Sequence, residues 1–289
     1  MLSARLRDRA ASLKLVAEPI VRRALVEDLG RGGDLTTDAI VEADRTATAR
    51  IVARRGGVVA GLTLGSLAFS LLDDRVVVDA RIDDGDRIEP GAVVAELFGP
   101  ARAILTGERT ALNLLAPLSG IATATRSLVD LVATTHVKIA DTRKTTPGLR
   151  ALERYAVACG GGTNHRFGLD DGVLIKDNHL IVAGSIHAAV AAARAAVGHM
   201  VKIEVEVDTL EQLREALDEP IDAVLLDNMT VPELTQAVRI VGRRVITEAS
   251  GGVSAENILE VARTGVDVIS VGWLTHSAPA LDLSLEIFG

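Results

Sequence analysis

From about residue 137 to the end, short apolar runs alternate with amphipathic stretches, and this rhythm constrains the fold more than any other feature. The apolar runs are Val137–Ala140, Val173–Ile175, Val201–Val207, Ala223–Leu226, Val245–Thr247 and Val268–Val271. Between most of them lie helical patterns at Leu149–Ala158, Ser185–Val197, Thr209–Leu217, Val231–Val241 and Ala255–Thr264. Strand and helix in regular succession mean parallel βαβ units, because a parallel strand is reached only by a crossover. A full eight-stranded barrel takes about 250 residues. Six strands therefore fit either a shortened α/β barrel or an open doubly wound sheet.

The residues before this point are of another kind. Glu18–Leu29 reads as a helix with Pro19 in its first turn. Arg45–Arg54 alternates small or apolar residues with polar ones, as a half-buried strand does, and Val76–Ile82 and Ala92–Leu97 are further strands. Asp83-Asp84-Gly85-Asp86 and Glu89-Pro90-Gly91 are turn chemistry between them. Residues 101–133 read as a helix interrupted at Pro117-Leu118-Ser119-Gly120. The expected division is an α+β domain over 1–111, an α/β barrel over 112–275, and a C-terminal segment, 276–289, packing back on the first domain.

Composition narrows the partners. Of 289 residues only 2% are aromatic and the net charge is -8, which disfavours stacking on single strands and general binding to nucleic-acid backbones. No apolar run approaches the roughly 20 residues of a membrane span. Arg5, Arg7, Arg9 and Lys14 precede no apolar segment, and the acids Asp8, Glu18, Glu27 and Asp28 among and after them suit the exposed face of a helix better than a targeting peptide. The single cysteine, Cys159, excludes an internal disulfide and is expected to be a core residue rather than a nucleophile. A cytoplasmic protein is expected.

Polar residues fall where the strands end: Asp141 and Arg143, Lys176, Glu206, Asp227, Glu248 and Ser250, then Gly272. Parallel α/β proteins bind ligands at the carboxyl ends of their strands. In the third run Lys202, Glu204 and Glu206 share one face, which suggests a polar barrel interior. A cationic set, Arg109, Arg143, Lys144, His165, Arg166, Lys176 and His179, stands against the acidic background and suggests a ligand with several negative charges. Ser250-Gly251-Gly252 and Ser270-Val271-Gly272, the latter followed by His276, are turns through which backbone N–H groups can approach a phosphate. Gly160-Gly161-Gly162-Thr163-Asn164-His165-Arg166 is either a helix C-cap with a turn or a functional loop.

Long motifs then carry a resemblance. Asp141-Thr142-Arg143-Lys144-Thr145-Thr146-Pro147-Gly148-Leu149-Arg150, Gly161-Gly162-Thr163-Asn164-His165-Arg166, Leu174-Ile175-Lys176-Asp177-Asn178-His179, Glu204-Val205-Glu206-Val207, Leu226-Asp227-Asn228-Met229 and Ser250-Gly251-Gly252 resemble, in order, those of the quinolinate phosphoribosyltransferase family. Upstream, Asp34-Leu35-Thr36-Thr37 and Gly107-Glu108-Arg109-Thr110-Ala111-Leu112-Asn113 are similar too. Thr146 stands where many members carry Leu or Met.

The resemblance implies an incomplete, six-stranded α/β barrel with an N-terminal α+β open sandwich, and a homodimer whose partner chain supplies Arg109 to the site. It implies transfer of phosphoribosyl from 5-phosphoribosyl 1-pyrophosphate to quinolinate with loss of CO2, a step in NAD synthesis. Arg143, His165 and Arg166 would grip the two quinolinate carboxylates, with Lys144 and Lys176 beside them as catalytic cations. Glu206 and Asp227 would face the ribose and a magnesium ion. Ser250, Gly251, Gly272 and His276 would hold the phosphoribosyl pyrophosphate, with Lys144 nearby. The chemistry suits these residue types: carboxylates stabilise a cationic ribose C1, and fixed cations orient a dianionic ring. Rival readings are a nicotinate phosphoribosyltransferase, a molybdenum-transport-associated relative, and a Schiff-base lyase using Lys176.

Overall fold

The computed structural model describes residues 2–288, with side chains from residue 12 onward. Arg5, Asp8 and their neighbours thus lie outside the described side chains. In chain order the elements are α1 (Leu2–Leu29), α2 (Leu35–Ile40), β1 (Thr46–Ala53), β2 (Gly57–Val58), α3 (Leu62–Ser70), β3 (Val77–Ala80), β4 (Arg87–Ile88), β5 (Val93–Pro100), α4 (Ala101–Leu131) and β6 (Lys138–Ala140). They continue as α5 (Arg150–Cys159), β7 (Val173–Ile175), α6 (Asp177–Ala183), α7 (Ile186–Ala196), β8 (Ile203–Val207), α8 (Leu210–Leu217), β9 (Ala223–Asp227) and α9 (Val231–Val241). Last come β10 (Ile246–Ser250), α10 (Ile258–Arg263), β11 (Val268–Ser270), α11 (Trp273–His276) and β12 (Leu283–Phe288). Two compact units result, and both are discontinuous in sequence: one holds residues to Arg126, Pro147–Gly161 and Ser277 onward, the other Ser127–Thr146 and Gly162–His276.

The first unit is built on an antiparallel sheet in the order β12-β1-β5-β3. The alternation read in β1 puts Ala49, Ile51 and Ala53 into the core. Leu64, Ala68 and Phe69 of α3 bury with them, as does Cys159 of α5. Two helix boundaries differ from expectation. α1 runs through Pro19 because Leu13, Ala17, Val21 and Leu25, four residues apart, form one buried stripe, while Pro19 sits on the exposed face. α4 likewise continues through Pro117. The Ala116 carbonyl accepts the Leu281 N–H at 2.9 Å. Gly120 does not break the helix; a Cβ there would lie 2.1 Å from the Pro279 carbonyl oxygen, so the glycine permits close passage of the C-terminal segment.

The second unit is a six-stranded parallel sheet in the order β6-β11-β10-β9-β8-β7. Cyclic order is preserved, and the two edges are the first and second strands of the series, so this is a barrel left open between β6 and β7. Thr163 pairs with the free edge of β6, donating to the Ile139 carbonyl at 2.7 Å. The glycine-rich loop therefore stands where a barrel would close. Surrounding helices start on side-chain caps: Ser185 accepts from Ala188 N–H at 3.1 Å, and Thr209 with Gln212 and Thr230 with Glu233 form capping boxes. The caps Thr209 and Thr230 begin their crossovers two or three residues after β8 and β9, whereas Ser185 follows the short α6. Among the described residues no single helix is long and apolar enough to cross a membrane; α6 and α7 reach that length only together, across a 93° bend.

Candidate functional site

A cleft of about 700 Å³ opens at the carboxyl ends of the parallel strands. It is lined by Arg143, Lys144, His165, Arg166, Lys176, Glu206, Asp227, Ser250, Gly251, Gly272 and His276, all within the second unit. These eleven come from the ends of all six parallel strands or just beyond them, and from the segment following Gly162, so only the fold brings them together.

The loop after β6 and the 162–166 segment form the cationic wall. Asp141, fully buried, organises both: its carboxylate accepts from Asn164 Nδ2 at 2.6 Å and from the His165 N–H at 2.8 Å. Arg166 follows, tied by Nη1 to the Gly172 carbonyl at 2.8 Å. Its buried Nε meets no hydrogen-bond partner among the described residues. Burial, and then the charge of Arg143, push the Arg166 guanidinium below its ordinary pKa. Burial and Arg143 outweigh Asp171 and Glu204 at Arg166, so two guanidinium groups in one wall favour an added anion.

Opposite stand the acids. Lys176 Nζ donates to Glu206 Oε2 at 2.6 Å. Asp227, at the end of β9, is raised above its ordinary pKa by burial and then by Asp208, although Lys176, Asn228 and Lys144 pull it down. A carboxylate so placed favours a cation beside it. Asn228 adopts φ 53°, donates its side-chain amide to Asp227 Oδ2 at 2.6 Å, and abuts Gly251, where a Cβ would lie 2.1 Å from Asn228 Oδ1. Gly251 itself has φ 91°. Glycine is therefore required there by both backbone and space. A Cβ on Gly272 would sit 3.0 Å from Lys144 Cδ, so that glycine lets the lysine chain lie across the second turn. Thr275 Oγ1 donates to the Lys144 carbonyl at 2.8 Å, and Trp273 Nε1 to that of Val253 at 3.1 Å, joining the two turns to the cation loop.

Glu206 and Asp227 suit a small hard cation. Both offer carboxylate oxygens, the cleft is lined by no thiol, and Asp227 is raised above its ordinary pKa first by burial and then by Asp208.

Three residues of the sequence reading lie elsewhere. Arg109 is exposed on α4 in the first unit, and the cleft is lined without it. His179 is a helix cap: its Nδ1 accepts the Lys176 N–H at 2.9 Å. Lys202 precedes β8 and pairs at 2.6 Å with Asp222 beyond the other end of the sheet, so the run of three charges divides, with only Glu204 and Glu206 within the strand. Sequence reasoning noted Glu248 and Asp141 at strand ends but assigned them no part. Glu248 lines the cleft, and Asp141 holds its wall. The signal for both was an acid in an otherwise apolar parallel strand or directly after one.

Comparison with known proteins agrees with this geometry. Residues 34–119 match the family model "Quinolinate phosphoribosyl transferase, N-terminal domain" and residues 121–286 the corresponding C-terminal domain. The chain is 47% identical over 273 residues to a probable nicotinate-nucleotide pyrophosphorylase [carboxylating] of Bacillus subtilis, covering 94% of each chain. It is 47% identical over 279 residues to the nicotinate-nucleotide pyrophosphorylase [carboxylating] of Mycobacterium leprae, covering 94% of this chain and 97% of that one. The structure of the nicotinate-nucleotide pyrophosphorylase from Francisella tularensis superposes with a TM-score of 0.91 at 38% identity, over 95% of this chain and 97% of that one. The chain belongs to the quinolinate phosphoribosyl transferase family.

Proposed function

We propose that this chain transfers the phosphoribosyl group of 5-phosphoribosyl 1-pyrophosphate to quinolinate and releases nicotinate mononucleotide, pyrophosphate and CO2, within NAD synthesis in the cytoplasm. One observation carries the reading: Arg143, Lys144, Arg166 and Lys176 converge with Glu206 and Asp227 in one cleft at the strand ends. The guanidinium of Arg166, with its orphaned Nε, and that of Arg143 bind the ring carboxylates. His165 holds the loop from which Arg166 projects. The Gly251 and Gly272 turns, with Ser250 and His276, hold the phosphate of the sugar. Glu206 and Asp227 face ribose C1 and stabilise positive charge there as the pyrophosphate departs. The ring nitrogen attacks C1 and becomes cationic, and the positive ring then stabilises the electron pair left on C2 when CO2 leaves. Glu206 and Asp227 would hold magnesium, which when bound neutralises the departing pyrophosphate.

Lys176 Nζ rests on the Glu206 carboxylate and is half exposed, unlike the desolvated amine that Schiff-base chemistry needs. A pocket for nicotinate alone would have one carboxylate to meet, against the two guanidinium groups of this wall. For the molybdenum-associated reading, nothing in the cleft calls for a binding role alone. Purified protein mixed with quinolinate, phosphoribosyl pyrophosphate and magnesium should form nicotinate mononucleotide. A folded protein that forms none sinks the reading.

We further infer a homodimer in which the partner supplies Arg109, since the cleft is formed by second-unit residues and Arg109 is exposed on α4. Arg109→Ala and Arg166→Ala proteins, mixed and allowed to exchange, should regain up to about a quarter of wild-type activity by random pairing. No gain after demonstrated exchange means that each site is made within one chain.

A further inference from the structure

Beneath the cationic wall lies a cluster that the transfer step does not use. Glu204 on β8 and Glu248 on β10 both face Nε2 of His165, at 3.2 and 3.5 Å. Nδ1 of the same ring accepts the Arg166 N–H at 2.7 Å. That nitrogen must offer a lone pair, so the ring proton is on Nε2. One N–H therefore meets two carboxyl groups, and the nearer, Glu204, takes it. Oε1 of Glu248 is buried and accepts no hydrogen bond.

A proton count follows. Glu248 is 5% exposed, with Glu204 and Asp141 adding charge of its own sign, opposed by the charge of His165 and a hydrogen bond from Ser270. Two neighbouring carboxylates in such a place do not both ionise. Burial first, then the charge of Glu204, push Glu248 up to about 7. Burial lowers the proton affinity of His165 while Glu204 and Glu248 raise it, with a net rise. A second ring proton would have to sit on Nδ1, facing the Arg166 N–H donor to donor. Glu248, which has one donor in Ser270 but none at Oε1, keeps the proton instead. The same tautomer removes the alternative of a metal held by His165, Glu204 and Glu248, because a protonated Nε2 has no lone pair to give.

We propose that Glu248 is the acid that returns a proton to C2 of the pyridine ring after the 2-carboxylate has left, with His165 and Glu204 as positioning residues. The inference rests on the reaction assigned above. The C2–carboxylate bond breaks, CO2 departs, and its electron pair stays on C2 beside the cationic nitrogen. The Glu248 O–H bond then breaks, its proton goes to C2, and water reprotonates the carboxylate once products leave. Glu248 lines the cleft, and its Oε1 is the one buried carboxyl oxygen of the lining without a hydrogen-bond partner among the described residues.

The test is the reaction in an equal mixture of H2O and D2O, reading the deuterium-to-hydrogen ratio at C2 of nicotinate mononucleotide. That ratio is set when C2 takes its proton, whichever step limits turnover. Glu248→Gln should shift it by about twofold, as water replaces a carboxyl donor, and should lower kcat by about a hundredfold. The KM for quinolinate should stay within about threefold. Glu248→Asp, which keeps an acid, should restore the wild-type ratio. A wild-type ratio in Glu248→Gln overturns the proposal even if kcat falls, since a structural role alone would leave the donor unchanged. If Glu248→Gln does not fold, Glu248→Asp decides: the alkaline limb of its kcat profile should move, and an unmoved limb overturns the proposal. Failure of the wild-type protein to make product would refute the assigned reaction instead.

Discussion

The two ends of the parallel sheet handle charge in opposite ways. At the amino ends, Asp222 is surrounded by donors: Arg194 Nη2 at 2.7 Å, Lys202 Nζ at 2.6 Å and the Ile203 N–H at 2.9 Å. Burial alone would raise its pKa, but Lys202, the Ile203 amide and Arg194 bring it down to about 2. At the carboxyl ends Asp227 and Glu248 are raised and Arg166 is lowered, each first by burial. One end has paid its electrostatic costs within the fold. The other leaves them unsettled, the arrangement expected of the binding site proposed above.

The contrast breaks most visibly at Asp227. Asp227→Asn should lower kcat by about a hundredfold or more while leaving the melting temperature unchanged or higher, because a neutral amide relieves the desolvated charge. A loss of stability along with activity would mean that this end, too, is structural. Next comes Arg166→Lys, which keeps the charge but loses the planar fork; steady-state kinetics with quinolinate should fall by on the order of tenfold or more. Near-wild-type rates would remove Arg166 from the site. At the opposite end Asp222→Ala should cost about 1–3 kcal/mol in urea unfolding, by leaving donors unsatisfied. Its kcat should remain within about twofold of wild type, and a larger fall would join the two ends functionally.

The smallest effects are in pH dependence, and their signs differ. Asp222 has a folded pKa below its ordinary 3.8, so its contribution is present above that value and lost as pH falls toward about 2. Asp222→Asn should therefore flatten the acid side of the stability curve. Glu248 has a folded pKa above its ordinary 4.5, so its contribution is present below that value and lost as pH rises through about 7. Glu248→Gln should gain on wild type between pH 5 and 8 in urea unfolding; a constant difference would show that Glu248 does not titrate in that interval.

How far the sequence leads depends on the range of the interactions involved. Period-two and helical patterning are local, and they mark β1, β7, α7, α8 and α9 to within a residue or so. β12 was missed because Leu283–Phe288 shows its role only when its residues pair with Thr48–Ala53 of β1. Pro117 misled because helix breaking is a local tendency, whereas α4 is held together by distant partners such as Leu281. His179 looked like a ligand-binding cation by its type and place, but a cap needs only the backbone N–H three residues earlier.

By itself the sequence determined the βα rhythm, the polar residues at the strand ends and the motifs that carry the family, because each is written in neighbouring residues. Only the tertiary structure decided that the barrel stays open between β6 and β7. Only it decided that Lys202 belongs to the far end with Asp222, and that Glu204 and Glu248 both face the same imidazole nitrogen of His165. Those facts depend on which distant groups share a few ångströms of low-dielectric space. In that setting the sign of a charge is known from the chain, but its energy is set by neighbours that the chain order does not name.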